Sequence, residues 1–261
     1  MDNYIYGGAS NIGYKREINE DYVNFTELDN TTLFSITADG MGSKCSTTQP
    51  ASIAGSEIVS VVQRVFDTDK KLFYEHTGLF LSEALHTANR VLGAFKMSNE
   101  ELYAGFGTSI SCCVYDEGGA FTIAHCGDTR IYLIRVNQKD NIPSIRQLTQ
   151  DHTKARRLLD DGVLTPEHYH THPDRLVLTS GLGVVSDPVI QISSGTLREN
   201  DILLSTTDGI HYAIIPDAIL QLVVRSEDCN SAAKALIDAA KMQKYSDNMS
   251  AAVVWNRNTP K

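Results

Sequence analysis

Two aspartates follow apolar, strand-like runs in distant parts of the chain. The run 33–38 leads into Asp39, and the run 202–206 leads into Asp208. A glycine follows each aspartate, and a residue without a side chain lets the backbone approach a bound ion or substrate closely. We therefore expect the two carboxylates to face each other across a site that binds divalent metal ions.

Further acidic residues lie at predicted strand ends or in tight turns. They are Glu20, Asp21, Asp128 and Asp247. Two carboxylates about 4 Å apart repel by about 4 kcal/mol at an effective dielectric constant of about 20, so a converging set stays ionised only around cations. Oxygen ligands without histidine or cysteine favour Mg²⁺ or Mn²⁺ over Zn²⁺. The alternative is that these are ordinary turn aspartates, and the residues alone leave both interpretations open.

Composition restricts the classes of function. The 261 residues are 42% hydrophobic, and 23 basic against 32 acidic residues give a net charge of −9, which argues against nucleic acid or an anionic membrane as the main partner. The five cysteines show no Cys-x-x-Cys spacing, so we expect reduced thiols and a cytoplasmic protein. The sequence shows no signal-peptide pattern and no apolar run long enough to span a membrane.

Hydrophobic periodicity predicts the elements that position the acids. Strands are predicted at 5–10, 22–28, 33–38, 106–115, 120–126, 130–136, 145–148, 189–192, 202–206 and 251–255, and helices at about 51–65, 79–96, 151–160, from 216 and at 231–244. We expect Thr149 or Asp151 to cap the helix at 151–160. The segment 162–183 is rich in His, Pro and Gly and is interpreted as a surface flap. This order predicts antiparallel sheets flanked by helices.

Seven short motifs, taken in order along the chain, resemble those of the metal-dependent (type 2C) serine/threonine protein phosphatases, in particular the compact bacterial members. The matching stretches are 16–21 (Arg-x-x-Asn-Glu-Asp), 38–42 (Asp-Gly-Met-Gly), 107–108 (Gly-Thr), 126–130 (Gly-Asp-Ser-Arg), 148–152 (Leu-Thr-x-Asp-His), 205–210 (Ser-Asp-Gly-Leu) and 246–250 (Asp-Asn-x-Thr). The resemblance spans nearly the whole chain. It implies an α+β fold, a four-layer α-β-β-α sandwich of two antiparallel sheets with helical pairs outside, in a single catalytic domain over 1–261 with a flap subdomain at about 162–183.

The resemblance also implies a centre of two Mg²⁺ or Mn²⁺ ions, with a third, weaker ion beside it. The implied roles are Asp39 as the bridging ligand, the Gly40 carbonyl, Asp21, Asp208 and Asp247 as the other protein ligands, Glu20 acting through a bound water, Asp128 for the third ion and Arg16 for the substrate phosphate. A hydroxide that bridges the two ions would attack the phosphorus of phosphoserine or phosphothreonine without a phosphoenzyme. A phosphoprotein substrate and an opposing Ser/Thr kinase are the implied partners.

Four positions depart from the family pattern. Ser43 replaces a second glycine, Ser109 replaces a threonine, and Met41 stands where some members carry a histidine that is a candidate proton donor. Tyr212 stands where many members carry an aspartate that helps the third metal, so the third ion has the least support. These departures near the third site motivate an alternative, a catalytically silent family member that binds a phosphoprotein or a regulator.

We expect the histidines outside the acidic motifs to have structural roles. His125 lies among apolar residues and is expected to be a satisfied, half-buried side chain. His168, His170 and His172 alternate along the flap segment, and we expect an exposed polar loop there, with metal binding or pH sensing as the alternative. A nuclease, another two-metal enzyme class, is disfavoured by the negative charge and the absence of a basic track.

Overall fold

Ten strands pair into two antiparallel five-stranded sheets within the part of the chain that the structure describes, residues 3–42, 48–136 and 142–257. The structure is a computed structural model. The strands are β1 (Tyr4–Asn11), β2 (Tyr22–Glu27), β3 (Leu33–Met41), β4 (Gly107–Tyr115), β5 (Ala120–Cys126), β6 (Arg130–Val136), β7 (Pro143–Gln147), β8 (Gln191–Thr196), β9 (Ile202–Thr206) and β10 (Met249–Asn256). Sheet I has the strand order β1-β10-β9-β6-β7, and sheet II has the order β2-β3-β4-β5-β8.

Helices cover the outer faces of both sheets. They are α1 (Pro50–Thr68), α2 (Lys70–Glu75), α3 (Thr77–Ser98), α4 (Glu100–Tyr103), α5 (Lys154–Asp160), α6 (Pro166–Tyr169), α7 (Asp208–His211), α8 (Pro216–Val224) and α9 (Cys229–Met242), with a 3-10 helix at Pro173–Leu176. Helices α1 and α3 pack on sheet II, and α8 and α9 pack on sheet I. The predicted four-layer α-β-β-α sandwich is therefore confirmed. No helix among the described residues has both the length and the apolar character needed to cross a bilayer.

Strand β4 shows why the layers hold together. Every residue of this central strand is buried, and successive side chains point to opposite faces of the sheet. Cys112 belongs to the core between sheet II and its helices, whereas its neighbour Cys113 belongs to the core between the two sheets. The four cysteines in the described part of the chain are unpaired, as predicted.

The structure differs from the predicted elements at two strand ends and in its short helices. Strand β3 continues through Asp39 to Met41 because these residues pair with β4, so Asp39 lies within a strand and not in the turn after it. The strand predicted at 189–192 begins at Gln191 and continues to Thr196. The short helices α2 and α4 were not predicted, since they contain too few turns to show a period.

The predicted cap of helix α5 was wrong. The helix begins at Lys154, and the Thr153 side chain accepts a hydrogen bond from the backbone N–H of Arg156. Asp151 is not available as a cap because it forms a buried ion pair with Arg130, whose Nη2 lies 2.6 Å from Asp151 Oδ2. The hydroxyl of Tyr169, in the flap segment 162–183, donates to the same oxygen at 2.6 Å. This pair therefore connects sheet I to the flap segment.

Electrostatics keep Asp151 ionised although it is buried. Burial alone would raise the pKa of its carboxyl, but the charge and hydrogen bonds of Arg130 and the hydroxyl of Tyr169 hold that pKa below its usual range. The side chains of Arg130 and Asp151 are only 3% and 1% exposed. Removing one partner would leave the other as an uncompensated buried charge.

We expect Asp151→Ala to lower the free energy of unfolding by about 3–5 kcal/mol, the usual cost of breaking a buried pair. Asp160→Ala provides the control, because Asp160 forms an exposed pair with Arg156 (side chains 44% and 34% exposed) and such pairs contribute about 1 kcal/mol or less. Urea unfolding of both variants measures the difference. Equal losses of stability would contradict the role assigned to the buried pair.

Candidate metal centre

Five aspartates from separate parts of the chain converge at one end of the sandwich. This acid cluster consists of Asp21, Asp39, Asp128, Asp208 and Asp247. Burial and then the charges of the other four raise the pKa of Asp39 well above its usual range. Burial and three of the same charges raise the pKa of Asp208, while a hydrogen bond with Asp39 acts in the opposite direction. The carboxyl groups of Asp39 and Asp208 are therefore neighbours, as the sequence predicted.

Strand ends from both sheets build the acid cluster. Asp21 directly precedes β2, and Asp39 lies near the end of the antiparallel partner strand β3 in sheet II. In sheet I, one residue separates Asp208 from the end of β9, and one residue separates Asp247 from the start of β10. Asp128 lies in the connection from β5 to β6, which crosses from sheet II to sheet I.

Asp21 is held by a hydroxyl that also fixes the end of sheet I. Thr207 Oγ1 donates to Asp21 Oδ2 at 2.9 Å and accepts from the backbone N–H of Ser250 at 2.9 Å. Burial raises the pKa of Asp21 to about 7. Hydrogen bonds from Ser250 and Thr207 stabilise the ionised carboxylate and limit this rise. The sequence analysis gave Thr207 no role, although its position next to Asp208 was visible.

Two carboxylate oxygens in the cluster are buried without a hydrogen-bond partner in the described structure. They are Oδ1 of Asp21 and Oδ1 of Asp208. A buried oxygen with no donor carries an uncompensated desolvation cost. Hard divalent cations take such oxygen ligands. The donor set therefore fits Mg²⁺ or Mn²⁺, even though no three His, Cys, Asp or Glu side chains among the described residues already stand in ligating geometry.

Gly40 lets β3 pass directly against the Glu20–Asp21 segment. A Cβ at Gly40 would lie 2.6 Å from the backbone oxygen of Glu20, so any side chain there would push β3 away from the loop residues that precede β2. Glu20 is buried, and its backbone N–H donates to Asn248 Oδ1 at 2.9 Å. The Asn248 amide also donates to the carbonyls of Ile12 and Ile18. Asn248 thus fixes the loop that carries the first acidic residues, a role the sequence analysis missed.

Arg16 lies at the solvent side of the cluster. Its Nη2 is 2.7 Å from Asp247 Oδ2, and its side chain is 48% exposed, against 24% for Asp247. The charges of Asp247, Glu20 and Asp39 favour the protonated guanidinium. The structure therefore brings the predicted phosphate-binding arginine next to the predicted metal ligands.

Ser109 fits its position well although it departs from the family pattern. Its hydroxyl accepts hydrogen bonds from the backbone N–H groups of Asp128 and Thr129, both at 2.7 Å. This contact fixes the turn that carries Asp128. Burial, and then the charge of Asp151, raises the pKa of Asp128 to about 7. Ser43, the other small departure, lies outside the described residues.

Tyr212 binds the flap segment. Its ring lies against the guanidinium groups of Arg130 and Arg175, at 5.4 and 4.9 Å from the ring centre. Its hydroxyl donates to the backbone oxygen of Arg175 at 3.0 Å. The residue at the position of the family's additional aspartate therefore anchors the 3-10 helix of the flap segment.

The histidines have local structural partners. His125 is fully buried, not half-buried as predicted, and its ring nitrogens lie 2.9 Å from Ser111 Oγ and 3.1 Å from the Gln150 oxygen. Burial and then His152 lower its pKa to about 3, so the neutral ring is a satisfied core group. In the flap segment, whose last residues, 180–183, are buried, His172 Nδ1 accepts a hydrogen bond from the backbone N–H of Asp174 at the start of the 3-10 helix.

Sequence comparisons identify relatives that match nearly the whole length of the chain. The sequence profile of the protein phosphatase 2C family matches residues 8–252. Protein phosphatase PhpP of Streptococcus pneumoniae is 28% identical over 250 residues, which cover 94% of each chain. Serine/threonine protein phosphatase PstP of Mycobacterium tuberculosis is 28% identical over 252 residues, which cover 95% of this chain and 44% of PstP.

Solved structures share the fold. A crystal structure of a bacterial serine phosphatase has a TM-score of 0.84 at 22% identity and covers 98% of this chain and 99% of its own. The catalytic domain of PstP, in complex with two manganese ions, has a TM-score of 0.75 at 24% identity and covers 98% of this chain and 99% of its own. These structures show the fold, and the profile match over residues 8–252 shows that the chain belongs to the protein phosphatase 2C family, whose curated relatives here are serine/threonine protein phosphatases.

Proposed function

We propose that this protein hydrolyses phosphoserine and phosphothreonine in proteins and depends on two Mg²⁺ or Mn²⁺ ions held by the acid cluster. The observation that carries the proposal is the pair of unpartnered, buried oxygens on Asp21 and Asp208 beside Asp39. The manganese ions in the PstP structure support the choice of metal. When bound, two such ions lower the pKa of a water molecule and neutralise phosphoryl oxygens.

The residues of the chain divide into three groups by proposed role. The cations would be held by Asp21, Asp39, the Gly40 carbonyl, Asp208 and Asp247, with Glu20 acting through water and Asp128 serving a third, weaker ion. Thr207 and Asn248 orient these ligands through hydrogen bonds. Such second partners fix ligand orientation in metal sites. Arg16 would bind the substrate.

Arg16 has the chemistry and the freedom to bind a phosphate. A planar guanidinium donates two parallel hydrogen bonds to phosphate oxygens. About half of the Arg16 side chain is exposed, so it can exchange Asp247 for a phosphate without leaving a buried charge unpaired. With Met41 in place of a histidine, solvent or another group protonates the leaving serine or threonine oxygen.

A phosphoprotein is the proposed substrate, and a Ser/Thr kinase that phosphorylates it is the proposed partner in the cytoplasm. The alternative of a silent member that binds phosphoproteins rests on Tyr212, which contacts Arg130 and Arg175. It predicts phosphopeptide binding without turnover at any metal concentration. All four aspartates proposed to bind the metal ions, Asp21, Asp39, Asp208 and Asp247, are present in the chain, and this favours the enzyme.

Asp39→Asn should reduce Mn²⁺-dependent hydrolysis of p-nitrophenyl phosphate and of phosphoserine peptides by at least about 100-fold, because the central carboxylate of the site is neutralised. Asp238→Asn is the matched control, since Asp238 is exposed on α9. It should retain wild-type rates. Wild-type turnover that persists in EDTA, or an active Asp39→Asn variant, would refute the proposed function.

The metal-free protein should lose stability as the pH rises from about 4 to about 8. The pKa of Asp21 is raised to about 7 in the folded state and is about 4 in the unfolded chain. The folded state therefore binds more protons in this window, and its stability falls with pH. Thermal unfolding in EDTA measures this trend, and added Mn²⁺ should raise the midpoint more at about pH 8 than at about pH 5 because it binds ionised carboxylates.

A midpoint in EDTA that rises across the same window would contradict this assignment. Asp208→Asn gives a second comparison, because it removes one repelling charge. The variant should unfold at a higher temperature than wild type in EDTA at about pH 8 and should respond less to Mn²⁺.

Arg16→Ala should lower kcat/KM for phosphopeptides by about tenfold or more, because the variant loses a charge-assisted hydrogen bond to the phosphate. The Mn²⁺-induced shift in the unfolding midpoint should remain, because Arg16 contributes no oxygen ligand. Lys15→Ala, next to Arg16 and exposed, is the control and should behave as wild type. Loss of the Mn²⁺ shift in Arg16→Ala would show instead that Arg16 organises the metal ligands.

A further inference from the structure

A cleft of about 710 Å³ opens between β1 and β2 and leads to the acid cluster. Each of these strands is at the edge of its sheet in the described structure, β1 beside β10 and β2 beside β3. Both free edges therefore lie on the same side of the sandwich. The residues used below are Tyr6, Gly8 and Ser10 on β1, Val23 and Phe25 on β2, and Asn19 and Asp21 at the inner end.

The sequence of β1 explains how closely β1 and β2 approach along the floor of the cleft. Tyr6, Gly8 and Ser10 share one face of the strand because side chains alternate. The Val23 and Phe25 side chains pack directly against the Gly8 backbone, because a Cβ at Gly8 would lie 3.2 Å from each of them and 3.0 Å from the backbone oxygen of Ala251. At the outer end, the rings of Tyr6 and Phe25 close the cleft with their centres 4.9 Å apart.

The inner end of the cleft joins the candidate metal centre. Asn19 Nδ2 donates to Ser10 Oγ at 2.7 Å, and Asp21 belongs both to the cleft wall and to the acid cluster. From Asp21 to Phe25 the chain advances four residues, about 13 Å in an extended strand. A second extended chain that starts at the cluster would reach the aromatic pair with its fourth residue.

We propose that this cleft binds an extended segment of the phosphoprotein substrate, and that Tyr6 and Phe25 receive an apolar side chain about four residues from the phosphoserine. The inference rests on the proposed function, since the phosphoserine must lie at the acid cluster. Edge strands offer unpaired backbone N–H and C=O groups, which bind an extended peptide of any sequence. The aromatic pair then adds selectivity for one side chain.

The surroundings of the aromatic pair indicate which side chain fits. The hydroxyl of Tyr6 donates to Glu27 Oε1 at 2.9 Å, so a carboxylate lies at the outer end. An acidic substrate residue would be repelled there. A leucine would bury apolar surface against both rings. The cleft therefore favours leucine over alanine, and alanine over glutamate, at this position.

Phosphoserine peptides test the inference on the wild-type protein with Mn²⁺. One set carries Leu, Ala or Glu four residues before the phosphoserine, and a second set carries them four residues after it. In one of the two sets, we expect kcat/KM to be about fivefold higher for Leu than for Ala. A well-packed contact of the leucine with the two rings stabilises binding by about that factor. p-Nitrophenyl phosphate, which has no flanking residues, measures the chemistry alone.

Variants of β1 connect the preference to the cleft. Tyr6→Ala should remove the preference for Leu and leave the rate with p-nitrophenyl phosphate within about twofold of wild type. Ile5→Ala is the control on the same strand, since Ile5 is 45% exposed on its opposite face. Gly8→Ala presses a methyl group against Val23 and Phe25, so it should displace the Phe25 ring and reduce the Leu preference without removing either ring.

The results separate the two proposals. Equal kcat/KM for Leu, Ala and Glu in both peptide sets, or a Leu preference that survives in both Tyr6→Ala and Gly8→Ala, would overturn the cleft assignment while p-nitrophenyl phosphate is still hydrolysed. Absence of Mn²⁺-dependent hydrolysis of p-nitrophenyl phosphate by the wild type would reject the proposed function and the cleft assignment with it. Thermal unfolding of each variant confirms that it is folded.

Discussion

Repulsion among five clustered aspartates, of which Asp21, Asp128 and Asp208 are buried, is the constraint that the rest of this structure accommodates. Burial and neighbouring charges raise the pKa values of Asp39 and Asp208 together, and no described donor reaches Oδ1 of Asp208. Such a cluster destabilises the fold unless protons or cations neutralise it. The two helix–sheet cores and the core between the sheets supply the stability that offsets this cost.

The same constraint explains why the two sheets must face each other. Sheet II supplies Asp39 and positions Asp21, whereas sheet I positions Asp208 and Asp247. Neither sheet alone supplies all four of the aspartates that are proposed to hold the two metal ions. Thr207 joins the two halves, because its hydroxyl contacts Asp21 from one side and the backbone of Ser250 from the other. Assembly of the site is therefore coupled to packing of the sandwich.

Sequence patterns predicted the acids and the layers but not the contacts that orient them. Asp39 and Asp208 could be found because each follows an apolar run and precedes a glycine, and the family resemblance connected them. The roles of Asn248 and Ser109 depend on hydrogen bonds to residues far away in the chain, such as Glu20 and Asp128, which no local pattern encodes.

The wrong predictions have physical reasons of the same kind. Asp151 has the residue type and spacing of a helix cap, but pairing with the buried Arg130 dominates because an unpaired charge there would cost several kcal/mol. Asp39 precedes a glycine, as turn aspartates often do, but pairing of residues 39–41 with β4 extends strand β3 beyond Asp39. In both cases a tertiary partner overrides a local preference.

The loop from β1 to β2 concentrates three proposed tasks in one short part of the chain. This loop crosses from sheet I to sheet II and carries Arg16, Glu20 and Asp21, while the strands at its two ends form the walls of the cleft. The Asn248 amide holds the loop at Ile12 and Ile18, so phosphate binding, metal binding and recognition of the flanking peptide share one rigid support. A shift of this loop would therefore change all three together. This shared support explains why an asparagine is buried at position 248, next to Asp247. Asn248 itself is not among the proposed metal ligands.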